Sequence, residues 1–277
     1  MKIPFTKAHG AKNDFLFTWR RDVPPGTDHE ALAIAICDRH TGIGADGWML
    51  VDPAADAEAE GTIQLYNSDG SIAEMSGNGT RCAAAFLIKH GLAAGVVRVR
   101  TGAGIKSMRV LERKGLLFQF EMNMGRAEIT AERFALELAA GTRDVTLLWV
   151  GNPQCAVPVE DFDFDWRAVG AEIERHAQFP NRTNVSFVRA VDPHTIDVRF
   201  WERGAGETMS SGTGSTGAAA MAVARGLASS PVRVQTPAGA MDLRFDGDIF
   251  LTGPAEIVAE GEFFPPTSRD RKGAILR

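Results

Sequence analysis

The sequence predicts an α+β protein built from two copies of one domain, and three observations carry that prediction. Ser76-Gly77-Asn78-Gly79-Thr80 recurs 135 residues later as Ser211-Gly212-Thr213-Gly214-Ser215, and each copy runs into a small-residue stretch of helical character. At the same offset and without a gap, Val97-Arg98-Val99-Arg100-Thr101 matches Val232-Arg233-Val234-Gln235-Thr236, and Gly104 matches Gly239. Short β-patterned runs bounded by glycine also outnumber helical ones.

Strands are expected over 61–66, 96–100, 115–122, 145–150, 184–189, 195–201 and 232–235. Four helices are expected. One spans 29–40, with Leu32, Ile34, Ala35 and Ile36 apolar, and another spans 166–176. The other two follow the glycine loops, over 81–87 and 216–224. The first pair repeats as well, because Cys37-Asp38-Arg39-His40 resembles Ile173-Glu174-Arg175-His176. Each copy therefore reads helix, strand, strand, glycine loop, helix, strand. The boundary falls in 123–142, read as a polar-to-helical connector, which gives domains 1–122 and 123–261. Residues 262–277 hold Pro265-Pro266 and the charged run Arg269-Asp270-Arg271-Lys272. They are read as a partly mobile tail that packs on the first domain.

Bulk properties narrow the function. A net charge of −5 over 277 residues, with no basic run, argues against a nucleic-acid partner. No apolar stretch reaches membrane-spanning length, and the start of the chain lacks a signal-peptide layout. Cys37, Cys82 and Cys155 are odd in number and lack paired spacing, which fits a reducing cytoplasm. The six histidines are scattered, so no metal site is expected.

The glycine loops carry the chemistry. A helix start leaves backbone N–H groups unsatisfied and adds the positive end of the helix dipole, which together attract an anion. The plainer role for Ser76 and Ser211 is that of N-caps. Polar residues cluster around both loops. A strand ends in Asn67 ahead of the first and in Glu202 ahead of the second. Arg203 can pair with a carboxylate in bidentate fashion, or make a surface ion pair instead. Asn13, Asn152 and Asn184 lie in further turns, where asparagine is also an ordinary turn residue. Together they suggest a polar cage for a small-molecule amino-acid substrate.

These residues resemble the diaminopimelate epimerase family over nearly the whole chain. The resemblance rests on His9-Gly10 with Asn13-Asp14-Phe15, Asp38-Arg39-His40 with Gly42-Ile43-Gly44, and Asn67 with Asp69-Gly70. It continues through Gly77-Asn78-Gly79 with Arg81-Cys82, Gly151-Asn152-Pro153 and Asn184-Val185. It ends with the run Glu202 to Thr208, then Gly212 with Gly214. It implies two pseudo-symmetric domains, each a sheet wrapped around a central helix, with the active site in the cleft between them. It further implies a homodimer and a reaction that needs no cofactor, in which one cysteine at each helix start moves a proton on one face of the substrate α-carbon. The substrate-binding set carried over is Asn13, Asn67, Gly77, Asn78, Asn152, Gln154, Asn184, Glu202, Arg203, Gly212 and Thr213. The catalytic set is Ser76, Ser211 and Glu202.

The chain departs from that pattern at the chemical positions. Ser76 and Ser211 stand where the family carries its cysteines, Gln154 where it usually has a histidine, and Gly47 where it usually has a glutamine. A hydroxyl is a far weaker acid than a thiol and needs an adjacent base, for which Glu202 is the candidate at one serine. Cys82 and Cys155 are expected in the core. The expected function is amino-acid epimerisation with an altered acid/base pair. A dehydratase or double-bond isomerase on the same scaffold, and a non-catalytic amino-acid binder, are the alternatives.

Overall fold

The computed structural model describes residues 2–266. They fall into two compact units, 2–122 with 254–266, and Asn123–Gly253. Residues 254–261, grouped with the second copy by the sequence reading, belong with the first. The tail beyond Pro266, including the run 269–272, lies outside the described residues.

In the first unit the elements are β1 (Ile3–Gly10), β2 (Asn13–Trp19), α1 (His29–Cys37), β3 (Gly47–Pro53), β4 (Gly61–Asn67), β5 (Ile72–Ala73), α2 (Gly77–Lys89), β6 (Val96–Thr101), β7 (Gly104–Lys114) and β8 (Leu117–Gly125). In the second they are β9 (Glu128–Leu138), β10 (Gly141–Trp149), β11 (Pro153–Pro158), α3 (Trp166–Glu174), β12 (Asn184–Asp192), β13 (Thr195–Glu202), β14 (Gly206–Thr208), α4 (Gly212–Ala224), β15 (Val232–Thr236), β16 (Gly239–Asp246) and the start of β17 (Asp248–Phe263), whose residues from Pro254 on belong to the first unit. From α1 to β7 and from α3 to β16 the order is the same, as the repeat requires.

The first unit closes its strands into a ring. β1 pairs with β2, β2 lies parallel to β3, β3 pairs with β4, and β4 lies parallel to β6. β6, β7 and β8 form a meander, and residues of β17 pair with both β8 and β1. The second unit repeats the pattern through β10, β11, β12, β13, β15, β16 and β17. Period-two alternation shows which face points inward. In β8, Phe118, Phe120, Met122 and Met124 are buried, while their neighbours are more exposed.

The helices after the glycine loops run through the interior. Gly77 to Ile88 are all buried in α2, and Gly212 to Ala222 in α4. Their sequences explain this. Ala83-Ala84-Ala85 and Ala218-Ala219-Ala220 make a slim helix without a polar stripe, which suits burial on every side. Glycine is needed at one matched position. A Cβ on Gly79 would stand 2.1 Å from Met49 Cε, and one on Gly214 would stand 2.9 Å from Phe200 Cδ1. Large side chains from the strands thus press against the first turn of both helices.

One expected region is corrected. The connector 123–142 is a strand-rich hairpin rather than a helical stretch: β9 pairs antiparallel with β10 along most of its length. Its Ala, Glu and Leu content favours helix, but within β9 only Leu136 and Leu138 are buried, two residues apart on one face. Pairing with β10 overrides the local preference.

Candidate active site

Each glycine loop has the same local build. Ser76 is the N-cap of α2, where its Oγ accepts from Gly79 N at 3.2 Å. Ser211 caps α4 and accepts from Gly214 N at 3.1 Å. The plainer reading of both serines therefore holds. It is compatible with chemistry, because an oxygen that accepts a helix-start N–H carries added negative charge more easily. One turn on, Thr80 Oγ1 donates to Ser76 O and Thr216 Oγ1 donates to Gly212 O.

Around α2 the wiring is charged. The fully buried Arg81 donates to Asn78 Oδ1, to Pro254 O at 3.2 Å and to Gly77 O at 3.4 Å. Asn78 Nδ2 donates to Asn13 Oδ1 at 3.3 Å, and Asn13 Nδ2 donates to Asp46 Oδ2 at 2.6 Å. Asp46 and Asp14 share Arg39, and Lys7 pairs with Asp14 at 3.0 Å. Burial raises the Asp14 carboxyl, yet the hydrogen bonds and charges of Arg39 and Lys7 outweigh it and hold it below its ordinary value. Burial lowers the Arg81 guanidinium to about 10. Asn67 Nδ2 donates to Ser71 Oγ, and Ser68 N donates to Asp46 O, so the Asn67 turn rests on the residue that holds Asn13.

Beside α4 the chain that reaches the helix start is neutral, and the charged Glu202 and Arg203 lie apart from it. Gln154 Nε2 donates to Asn152 Oδ1 at 2.6 Å, and Asn152 Nδ2 donates to Thr213 Oγ1 at 3.3 Å. Gln154 Oε1 is buried and accepts no hydrogen bond from the described residues. Asn184 is a brace: its Nδ2 donates to Pro153 O and its Oδ1 accepts from Arg203 N. The Arg203 guanidinium donates to Asn181 O at 3.4 Å, and the Glu202 carboxylate accepts from Thr208 Oγ1 at 2.6 Å. The sequence residues of the second loop thus form two hydrogen-bonded sets, Gln154–Asn152–Thr213 and Asn184–Arg203, the latter tied to the backbone between Asn152 and Gln154 through Pro153 O.

Sequence reasoning missed Glu174. Only 2% exposed, it accepts from Trp201 Nε1 and Gly204 N, each at 3.0 Å, and pairs with Arg182 at 3.4 Å. It therefore pins the turn that carries Glu202 and Arg203. Burial raises its carboxyl, and these donors and cations more than offset that, leaving it below the ordinary range. A glutamate ending a helix gave no signal of this, because its partners come from β13, the turn after it and the loop before β12. The thiols offer no replacement chemistry: burial pushes Cys82 and Cys37 up to about 12, and Cys155 higher still.

The family model described as diaminopimelate epimerase matches residues 5–130 and 146–258. A diaminopimelate epimerase of Pelotomaculum thermopropionicum is 38% identical, across 94% of this chain and 98% of its own. The chain belongs to the diaminopimelate epimerase family. The enzyme of that name from Azoarcus sp. is 37% identical, across 96% of this chain and all of its own. Solved structures share the fold at low identity. A hydroxyproline epimerase of Agrobacterium vitis superposes with a TM-score of 0.71 at 15% identity, covering 94% of this chain and 92% of that one. A methylitaconate-delta-isomerase superposes at 0.67 with 15% identity, covering 95% of each.

Two departures from the family pattern have local accounts. A Cβ at Gly47 would stand 2.9 Å from both Tyr66 O and Leu65 Cδ1, so glycine is what this strand pairing admits. Gln154 lies against the helix at Gly217, where a Cβ would stand 3.4 Å from Gln154 Cγ. An amide there keeps the hydrogen bond to Asn152 but cannot take up a proton near neutrality.

Proposed function

We propose that the chain epimerises diaminopimelate in the cytoplasm without a cofactor, using the hydroxyls of Ser76 and Ser211 where its relatives are expected to use thiols. Full-length similarity to enzymes named diaminopimelate epimerase carries this reading. In the proposed reaction one oxygen removes the α-proton and the opposite hydroxyl supplies a proton to the other face, so the configuration inverts. Backbone N–H groups at the helix starts stabilise the charge that moves onto the α-carboxylate in the carbanion-like state. Glu202 serves as the base that makes one hydroxyl competent, and Arg203 pairs with a substrate carboxylate. Asn13, Asn67, Asn78, Asn152, Gln154, Asn184, Gly77, Gly212 and Thr213 complete the binding set, and the enzyme works as a homodimer.

Incubation with LL-diaminopimelate in D2O tests this. The expected result is deuterium at the α-carbon together with the meso isomer, detected by NMR and chiral chromatography. No exchange at high enzyme concentration overturns it. A second reading rests on the hydroxyl pair and the untitratable Gln154. With only one competent acid/base, the scaffold would favour loss of water or movement of a double bond over inversion. New ultraviolet absorbance without racemisation would select that reading.

A further inference from the structure

We infer that Arg81 and Asp46 are positioning residues that fix which atoms Asn13 and Asn78 present to a ligand, an inference that rests on the proposed role of those two asparagines. An asparagine amide can turn over and exchange its donor and acceptor ends at little cost, so an amide in a binding site must be held one way round. Here the chain of hydrogen bonds has a direction. Arg81 can only donate and holds Asn78 Oδ1. That commits Asn78 Nδ2 to donate, and it does so to Asn13 Oδ1. Asn13 Nδ2 then donates to Asp46, which as a carboxylate can only accept. A donor-only cation at one end and an acceptor-only anion at the other leave a single consistent orientation for both amides. With one N–H given to Asp46, the other is the donor Asn13 can offer a ligand.

The placement of Arg81 supports this. A cation with no exposed surface, held by amide and carbonyl oxygens, is costly to bury and adds less to stability than an apolar side chain of similar size. A role in orienting Asn78 gives that cost a purpose. The other end of the chain lies at the surface, where Asp46 also accepts from Arg39 Nη2 at 2.7 Å and from Asp14 N at 3.1 Å.

Asp46→Asn makes that end ambiguous while keeping its shape, and Asp46→Glu restores an acceptor-only group. Arg81→Lys and Asn13→Ala are made in parallel. Two readouts apply. Side-chain amide 15N resonances, assigned through Asn13→Ala, report the wiring without ligand. KM and kcat for α-proton exchange of diaminopimelate report its use. The expected results for Asp46→Asn are a displaced, faster-exchanging Asn13 NH2 pair, KM raised about tenfold with kcat little changed, an unaltered melting temperature, and recovery of KM in Asp46→Glu. Arg81→Lys is expected to act on Asn78 in the same way. Unmoved amide resonances in Asp46→Asn overturn the wiring. Moved resonances with an unchanged KM overturn the positioning role. If Asn13→Ala leaves KM unchanged, or the native protein exchanges no α-proton, the site assignment itself fails and the inference falls with it.

Discussion

The starts of α2 and α4 share a scaffold and differ in their wiring. Both begin with a serine cap accepting from the glycine three residues on, at 3.2 and 3.1 Å. Both bury an alanine-rich interior. Yet the polar chain beside α2 ends on Arg81 and Asp46, whereas the one beside α4 ends on Gln154, whose Oε1 accepts nothing from the described residues. In the first, charge fixes the direction of every hydrogen bond. In the second, all three members can donate or accept, so no charged group fixes the direction. Duplication conserved the frame that holds the helix start and left the surrounding electrostatics free to diverge.

The largest expected break of this comparison is chemical. Ser76→Cys combined with Ser211→Cys should raise α-proton exchange by two or more orders of magnitude, since an effective acid/base group contributes about 10²–10⁴-fold. Exchange kinetics of the single and double variants give the check, and an unchanged double variant means the cage serves another ligand. Next in size is Gln154→His, which puts a titratable ring on the neutral side. Activity should then acquire a pH dependence near the histidine range, about 6.5, absent from the native protein. A pH–rate profile measures it.

Smaller effects separate the two frames mechanically. Gly214→Ala drives a methyl group against Phe200 and against Ser211, whose Oγ would lie 2.9 Å from it. Gly79→Ala meets Met49, whose terminal methyl can turn aside. We expect Gly214→Ala to cost about 1–3 kcal/mol and Gly79→Ala less, by denaturant unfolding. The smallest expected effect is Glu174→Gln, at about 1–2 kcal/mol. The native Glu174 has a lowered folded-state pKa, so its contribution is full above the ordinary glutamate range and lost as pH falls through the folded value. The variant should lose that acid-side dependence, visible as a flatter plot of stability against pH below about 4.5.

What the sequence made legible was local or repeated. The caps, the buried helices and the order of elements follow from small-residue runs, glycine positions and an unbroken offset. Asn152, Gln154, Asn184 and Arg203 were legible as separate turn residues, and the bonds that tie Gln154 to Asn152 and Thr213, and Asn184 to Arg203, were not. Arg81 and Asp46 are 35 residues apart, and only the ring of strands around α2 joins them through Asn13 and Asn78. The β9–β10 hairpin was hidden for the opposite reason: its composition argues for a helix, and its partner strand decides the matter.

The enclosure of α2 through Ile88 and of α4 through Ala222 has a consequence in time. Amide hydrogens inside these helices, from Ala83 to Leu87 and from Ala218 to Ala222, can meet solvent only when the surrounding strands separate. They should be the last to exchange with deuterium, at rates set by global unfolding, while α1 and α3 open locally and sooner. The serines at the two helix starts are thereby fastened to the slowest-opening parts of the molecule.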